Sequence, residues 1–189
     1  MVAGSPDKSP EQMPEKARLP LAVSFVSRSG AGRTTFLEKL VPELKKLGLR
    51  VGVLKHHAHA TGFDVPGKDT YRLAAAGADI VVGASPVQTA IFIPGDASAD
   101  LDAVIRRHLT AVDLVLLEGY KRGHYQKIEV YRSDRAGQDG PVDGLLCDAD
   151  ELLAVVTDVK LDLPEAISQF GLDDPAGVAT LLSSLIFQR

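Results

Sequence analysis

LAVSFVSRSGAGRTTF, Leu21 to Phe36, runs from apolar residues into a small glycine-bearing turn and out into a helical pattern. Strand, glycine loop and helix start, in that order, are what a phosphate cradle requires. Gly30 and Gly32 can take positive φ, and without a β-carbon they let backbone N–H groups close on an anion. The helix behind them turns its unpaired N–H groups and positive dipole end toward the same point. Ser29, Gly30, Ala31, Gly32, Arg33, Thr34 and Thr35 are therefore the candidate phosphate-binding residues. Thr34 stands where a P-loop hydroxyl holds Mg²⁺, and Arg33 where a cation reaches the outer phosphates.

Two positions depart from the strict pattern GxxxxGK[ST]. Ser27 replaces the first glycine and Arg33 replaces the lysine. Arginine keeps the charge, but its planar fork does not substitute for a compact ammonium without rearrangement. The plainer alternative is a glycine-rich turn from strand to helix that holds nothing.

At 189 residues the chain fits one domain with a full core. Residues 1–19, with Pro6, Pro10 and Pro14 among charged and small polar residues, read as a disordered tail without the apolar core of a signal peptide. Residues 20–189 read as the nucleotide-binding domain. A net charge of −4, with no run of Lys and Arg, argues against nucleic acid as the main partner. Cys147 is the single cysteine. It excludes an internal disulfide and a multi-cysteine zinc site, and it suits a reducing cytoplasm. No run reaches membrane-spanning length, and no internal repeat is visible.

After the loop, Leu37, Leu40, Val41, Leu44 and Leu47 share a helical stripe that Pro42 should bend and Gly48 should end. Arg50 to Leu54 is a short strand. Lys55 to Thr70, KHHAHATGFDVPGKDT, carries three histidines directly after that core strand, where ligands of open α/β sheets sit. Asp69 and Thr70 start a short helix that stops at Gly77. Ile80 to Gly83 and Ala90 to Ile93 read as strands around a Ser85-Pro86 turn. Ser98 or Asp100 caps a helix with the stripe Leu101, Val104, Ile105 and Leu109. Leu114 to Leu117 is a strand buried on both faces. Lys127 to Tyr131 alternates, which predicts one solvated side or a place near the sheet edge. Ser133 to Gly144 is a polar loop, and Leu152 to Val156 the last core strand. Asp174-Pro175 opens a final helix with Val178, Leu181, Leu182, Leu185 and Ile186 on one face. Strands alternating with helices predict a doubly wound, mostly parallel α/β domain with helices on both faces.

Glu118 follows four apolar strand residues, the position of a Walker B acid beside Mg²⁺; a simple strand-end acid is the alternative. Asp113, at the other end of that strand, points away from the rim. His56, His57 and His59 offer imidazoles for zinc, nickel or copper, or are polar loop residues beside a phosphate. Asp64 is a candidate for Mg²⁺ or an activated water, and Lys68 for a phosphate contact or a solvated helix start. Asp158, after the last core strand, can accept the two donors on the Watson–Crick edge of guanine, which adenine lacks; a turn cap is the alternative.

Together these segments resemble the MobB family of molybdopterin-guanine dinucleotide biosynthesis over nearly the whole chain past the tail. The likeness rests on SGAGRTT, on the LKH of Leu54 to His56 with His59, Asp64 and PGKDT (Pro66 to Thr70), and on the AGA around Gly77. LLEGYK (Leu116 to Lys121), KIEV (Lys127 to Val130) and VVTDV (Val155 to Val159) extend it. The resemblance implies a dimeric, GTP-binding accessory protein of the SIMIBI branch of P-loop NTPases. Such a protein assists MobA, which attaches GMP to molybdopterin. It further implies phosphate contacts from Gly30 to Thr35, Mg²⁺ at Thr34, and Glu118 as the Walker B acid. Asp158 would meet the base, and His56, His59, Asp64 and Lys68 the nucleotide or pterin phosphates. With Arg33 in the loop, GTP hydrolysis is expected to be weak or absent. A metal-delivery GTPase for a nickel enzyme, fed by the histidines, is one alternative; it usually has paired cysteines or a long histidine run. A small-molecule P-loop kinase is the other, and would want the lysine and an arginine-bearing lid, for which Ser133 to Gly144 offers only Arg135.

Overall fold

The computed structural model describes residues 18–56, 62–94, 100–135 and 144–189. The expected tail, apart from its last two residues, lies outside them, as do His57, His59 and Ser98. The elements follow the chain as β1 (Leu21–Ser27), α1 (Arg33–Lys46), β2 (Val51–Lys55), α2 (Asp69–Ala75), β3 (Val81–Ala84), β4 (Thr89–Phe92) and α3 (Leu101–His108). They continue as β5 (Leu114–Glu118), β6 (Lys127–Tyr131), β7 (Leu152–Thr157), β8 (Ser168–Gly171) and α4 (Pro175–Phe187), with 3₁₀ turns at Ser133–Arg135 and Ala149–Glu151.

Six strands form one sheet in the order β2-β5-β1-β6-β7-β8, and every pairing in it is parallel. Side chains alternate across it with the period of two that a strand imposes. Val23, Phe25, Leu114, Leu116, Ile128, Val130, Ala154 and Val156 face one side, against Phe36, Leu40 and Leu44 of α1 and Val178 and Leu182 of α4. On the other side Val115 and Leu117 meet Ile105 of α3. Farther along that side, Val155 lies under Leu145, Cys147, Leu161, Leu163 and Ile167, which come from loops and not from a helix. The doubly wound α/β fold expected from the sequence is thus present.

The helix ends follow the residues that mark them. Gly48 takes φ +79 after α1, Asp100 accepts the amide of Asp102 at α3, and Asp174 accepts that of Gly177 at α4. Helix α1 continues through Pro42.

The structure adds two features that the sequence did not announce, and it corrects one expectation. The strands β3 and β4 pair antiparallel with each other, apart from the main sheet. Helix α2 beside them buries no residue, so this segment leaves Tyr71, Leu73, Val82 and Ile91 exposed. Edge strand β8 has no apolar run to announce it; only Phe170 packs toward the core. The corrected expectation concerns β6, which lies inside the sheet between β1 and β7. Its alternation does not mark a solvated face, because Lys127 and Glu129 are each only 1% exposed. Loops cover that face and supply partners. Lys127 Nζ reaches Glu151 Oε1 at 2.6 Å and the carbonyl of Gly123 at 3.3 Å. Glu129 accepts the amides of Leu146 and Cys147. Burial pushes its carboxyl above the ordinary value, although those amides and the charge of Arg28 act the other way.

Removing a buried acceptor strands its donors, at a cost of about 3 kcal/mol or more where charge is involved. Glu129→Ala is therefore expected to lower the urea midpoint strongly at constant slope. Glu129→Gln, which keeps one acceptor, is expected to lower it less.

Candidate functional site

The turn between β1 and α1 forms one wall of a cleft of about 570 Å³ lined by Ser27 to Thr35, His56, Gly119 and Lys121. Gly30 and Gly32 take φ +71 and +85, the left-handed region that only glycine enters cheaply. Gly32 is itself the cap of α1 and gives the first turn no side-chain cap bond. Those donors and the dipole end behind them remain directed at the cleft. A β-carbon built on Gly30 would come within 3.8 Å of the Arg135 guanidinium, so the 3₁₀ turn after β6 lays an arginine over the loop. Arg28 is buried and donates to the carbonyl of Gly144 at 2.7 Å, which fixes the back of the loop.

Glu118 comes up beside Thr34 and Arg33 of the loop because β1 and β5 are in register at Phe25 and Glu118, and β2 and β5 at Lys55 and Glu118. Thr34 Oγ1 donates to Glu118 Oε1 at 2.5 Å. Arg33 Nε lies 3.5 Å from the same oxygen, and Lys55 Nζ lies 3.7 Å from Oε2. Burial opposes the charge on Glu118, but the Thr34 hydroxyl, Lys55 and Arg33 outweigh it and hold its carboxyl below the ordinary value. A threonine hydroxyl beside an ionised carboxylate is an all-oxygen donor pair. It fits Mg²⁺, which takes one or two protein oxygens and completes its shell with water and phosphate.

The structure brings together Ser29 to Thr35, Glu118 and His56 of the residues expected from the sequence. The His56 amide donates to the Glu118 carbonyl at 2.9 Å, and its ring meets Tyr120 edge-on. Asp64 and Lys68 stay with their own segment. Asp64 Oδ1 accepts the amide of Val65, Lys68 precedes α2, and among the described residues no hydrogen bond or ion pair joins either to the loop. Asp158 stands at the same rim, but both its oxygens accept from Ser133, Oδ1 from the amide and Oδ2 from the hydroxyl. The Ser133 amide, helped by its hydroxyl, lowers the Asp158 pKa against the opposing effect of burial. Asp113 pairs with Arg50 at the far end of the sheet, as its position implies. Lys55, Lys121, Arg28 and Arg135 also surround the loop; the glycine pattern alone does not signal them, although Lys55 and Lys121 stand within the LKH and LEGYK motifs.

The family described as "Molybdopterin guanine dinucleotide synthesis protein B" matches residues 22–158, from β1 to the end of β7. The chain belongs to the MobB family. It is 37% identical over 170 residues to the molybdopterin-guanine dinucleotide biosynthesis adapter protein of Escherichia coli, covering 88% of this chain and 93% of that one. A crystal structure of molybdopterin-guanine biosynthesis protein B superposes with a TM-score of 0.66 at 28% identity, over 88% of this chain and 99% of that one. Bacillus subtilis MobB does so with a TM-score of 0.64 at 26% identity, over 86% and 96%. MobB membership makes this chain an adapter protein of molybdopterin guanine dinucleotide biosynthesis, on a P-loop NTPase fold. No helix among the described residues is long and apolar enough to cross a membrane.

The glycine of the family-like LEGYK segment has a steric cause. Gly119 takes φ +87, and a β-carbon there would sit 2.8 Å from the carbonyl oxygen of His56. Left-handed backbone costs a non-glycine residue roughly 1–2 kcal/mol, and the overlap adds to it. Gly119→Ala is expected to lower the thermal midpoint by several degrees, whereas Lys121→Ala, two residues on, should leave it unchanged.

Proposed function

We propose that the chain binds GTP with Mg²⁺ at the phosphate loop and serves as an accessory to a MobA-type molybdopterin guanylyltransferase, with little or no GTPase activity of its own. One observation carries this reading: the uncapped first turn of α1, with its two left-handed glycines, opens onto the Thr34–Glu118 pair. Amides would hold the phosphates, and Thr34 and Glu118 would hold the metal, which supplies charge neutralisation of the outer phosphates. Arg33, Lys55 and Lys121 add positive charge around the same cleft.

Arg33 supports the weak-hydrolysis part of the reading. Its guanidinium leans on Glu118, so the loop cation is shared with the metal-side acid and not dedicated to the transferred phosphate. Phosphoryl transfer depends on such positioning, and small misplacements cost orders of magnitude in rate. Binding depends mostly on the backbone amides and tolerates the change.

The same reading takes a second copy of the chain and the guanylyltransferase as protein partners, molybdopterin as the partner's substrate, and the cytoplasm as the setting. The exposed apolar side chains of α2 and the β3–β4 hairpin favour a protein contact on that side.

Isothermal titration of the purified protein with GTP, with and without Mg²⁺, followed by single-turnover hydrolysis, checks this. Saturable binding strengthened by Mg²⁺ is expected, with hydrolysis slow in the wild type and faster in Arg33→Lys. No heat at millimolar GTP overturns the binding reading. Hydrolysis at ordinary NTPase rates that lysine does not raise overturns the assignment to Arg33.

A further inference from the structure

We propose that the base of the bound nucleotide lies in a second cleft, across the start of α1 from the first, and that Asp173 is the carboxylate that recognises guanine. The proposal rests on the phosphate-loop reading above and adds to it the residue that selects the base.

The second cleft, of about 250 Å³, shares Ala31, Gly32 and Thr35 with the phosphate cleft, and Phe36, Lys39, Arg132, Leu172 and Asp173 complete its walls. The two therefore adjoin at the first turn of α1. Arg132 directly follows β6, and Leu172 and Asp173 directly follow β8. All three stand beyond the carboxyl ends of parallel strands, where such sheets present ligands. A nucleotide with its phosphates on the amides of the loop has this adjoining cleft in which to lay its nucleoside. Leu172 offers an apolar surface, and the rim is charged.

The two candidate carboxylates differ in what they already hold. Asp158 has both oxygens on Ser133 and lines neither cleft. Its bonds pin the 3₁₀ turn that carries Arg135 over Gly30, which makes it a positioning residue. Asp174 is occupied as the cap of α4. The Asp173 side chain is 92% exposed, and its one salt bridge among the described residues puts Lys39 Nζ on Oδ1 at 2.7 Å. An exposed pair of this kind is weak, and a carboxylate has about four acceptor sites. Asp173 can therefore accept the adjacent N1–H and exocyclic amine of guanine while Lys39 stays in place. Adenine presents an unprotonated ring nitrogen there, and a carboxylate has no proton to give it. Leu172 and Asp173 lie beyond the residues matched to the family, so nothing in the shared motifs points to them.

The test is titration of the full chain with the Mg²⁺ complexes of GTP, ATP and xanthosine triphosphate. Asp173→Asn is expected to weaken GTP by roughly 10- to 100-fold, the range of hydrogen bonds to a charged partner. It should leave ATP near its wild-type affinity and raise affinity for xanthosine triphosphate, because the asparagine amide can donate to the carbonyl that replaces the exocyclic amine. Asp158→Asn should weaken GTP and ATP by the same factor. The proposal is overturned if Asp173→Asn keeps the wild-type ratio of GTP to ATP affinity, or if Asp158→Asn changes that ratio. Wild type that binds inorganic tripolyphosphate but does not distinguish GTP from ATP overturns the base assignment and leaves the phosphate loop standing. Wild type that binds neither nucleotide nor tripolyphosphate removes both.

Discussion

The register that sets Phe25 beside Glu118, and Lys55 beside Glu118, in three adjacent parallel strands determines what meets at the rim. All strands of a parallel sheet end on one side, so the loop after β1, the acid ending β5 and the lysine ending β2 arrive together. A slip of one residue would turn Glu118 to the opposite face, away from α1 and Thr34. The apolar run before Glu118 therefore has two consequences. Leu114 to Leu117 are fully buried, which stabilises the sheet, and their burial fixes the position of the carboxylate.

The phosphate loop is also held from behind. Arg28 passes beneath it to the Gly144 carbonyl and lies close enough to Glu129 to favour the charge there. Glu129 in turn holds the amides of Leu146 and Cys147. A chain of polar contacts thus runs from the loop through the sheet to residues 144–147. Arg28 and Glu129 are buried, and buried polar groups tolerate little misplacement. Such anchoring suits a loop whose amides must all point at one anion. It also explains why a strand with lysine and glutamate can sit inside the sheet: the charges are matched by the chain that covers them.

Local chemistry made part of this legible in the sequence. The strand, glycine turn and helix around Gly30 follow from backbone preference, the position of Glu118 from an unbroken apolar run, and the start of α4 from Asp174-Pro175. Each depends on neighbours in sequence. What escaped depends on distant partners. KIEVY reads as half-solvated only until Glu151, Leu146 and Cys147 are known to cover it, and SQFG carries no pattern that distinguishes an edge strand from a loop. Asp158 was visible as a strand-end carboxylate, but that Ser133 takes both its oxygens was not. Asp173, next to a helix cap, looks like ordinary punctuation until the rim is assembled.

Charge is distributed against the composition. A chain of net charge −4 lines one cleft with Arg28, Arg33 and Lys121, sets Glu118 and Lys55 beside Arg33, and brings Arg135 over the loop. A concave site lined by one sign focuses the field and draws anions of the opposite sign. The acidic remainder discourages the extended polyanion contacts that nucleic acids need. Small, highly charged anions are therefore favoured over long ones. Glu118 keeps that cluster from being uniformly cationic, and it is the residue on which Thr34, Arg33 and Lys55 all converge. Neutralising it would leave Arg33 and Lys55 without the acid they share. The balance between one carboxylate and its cations, more than the glycine turn alone, sets what the cleft can hold and how firmly.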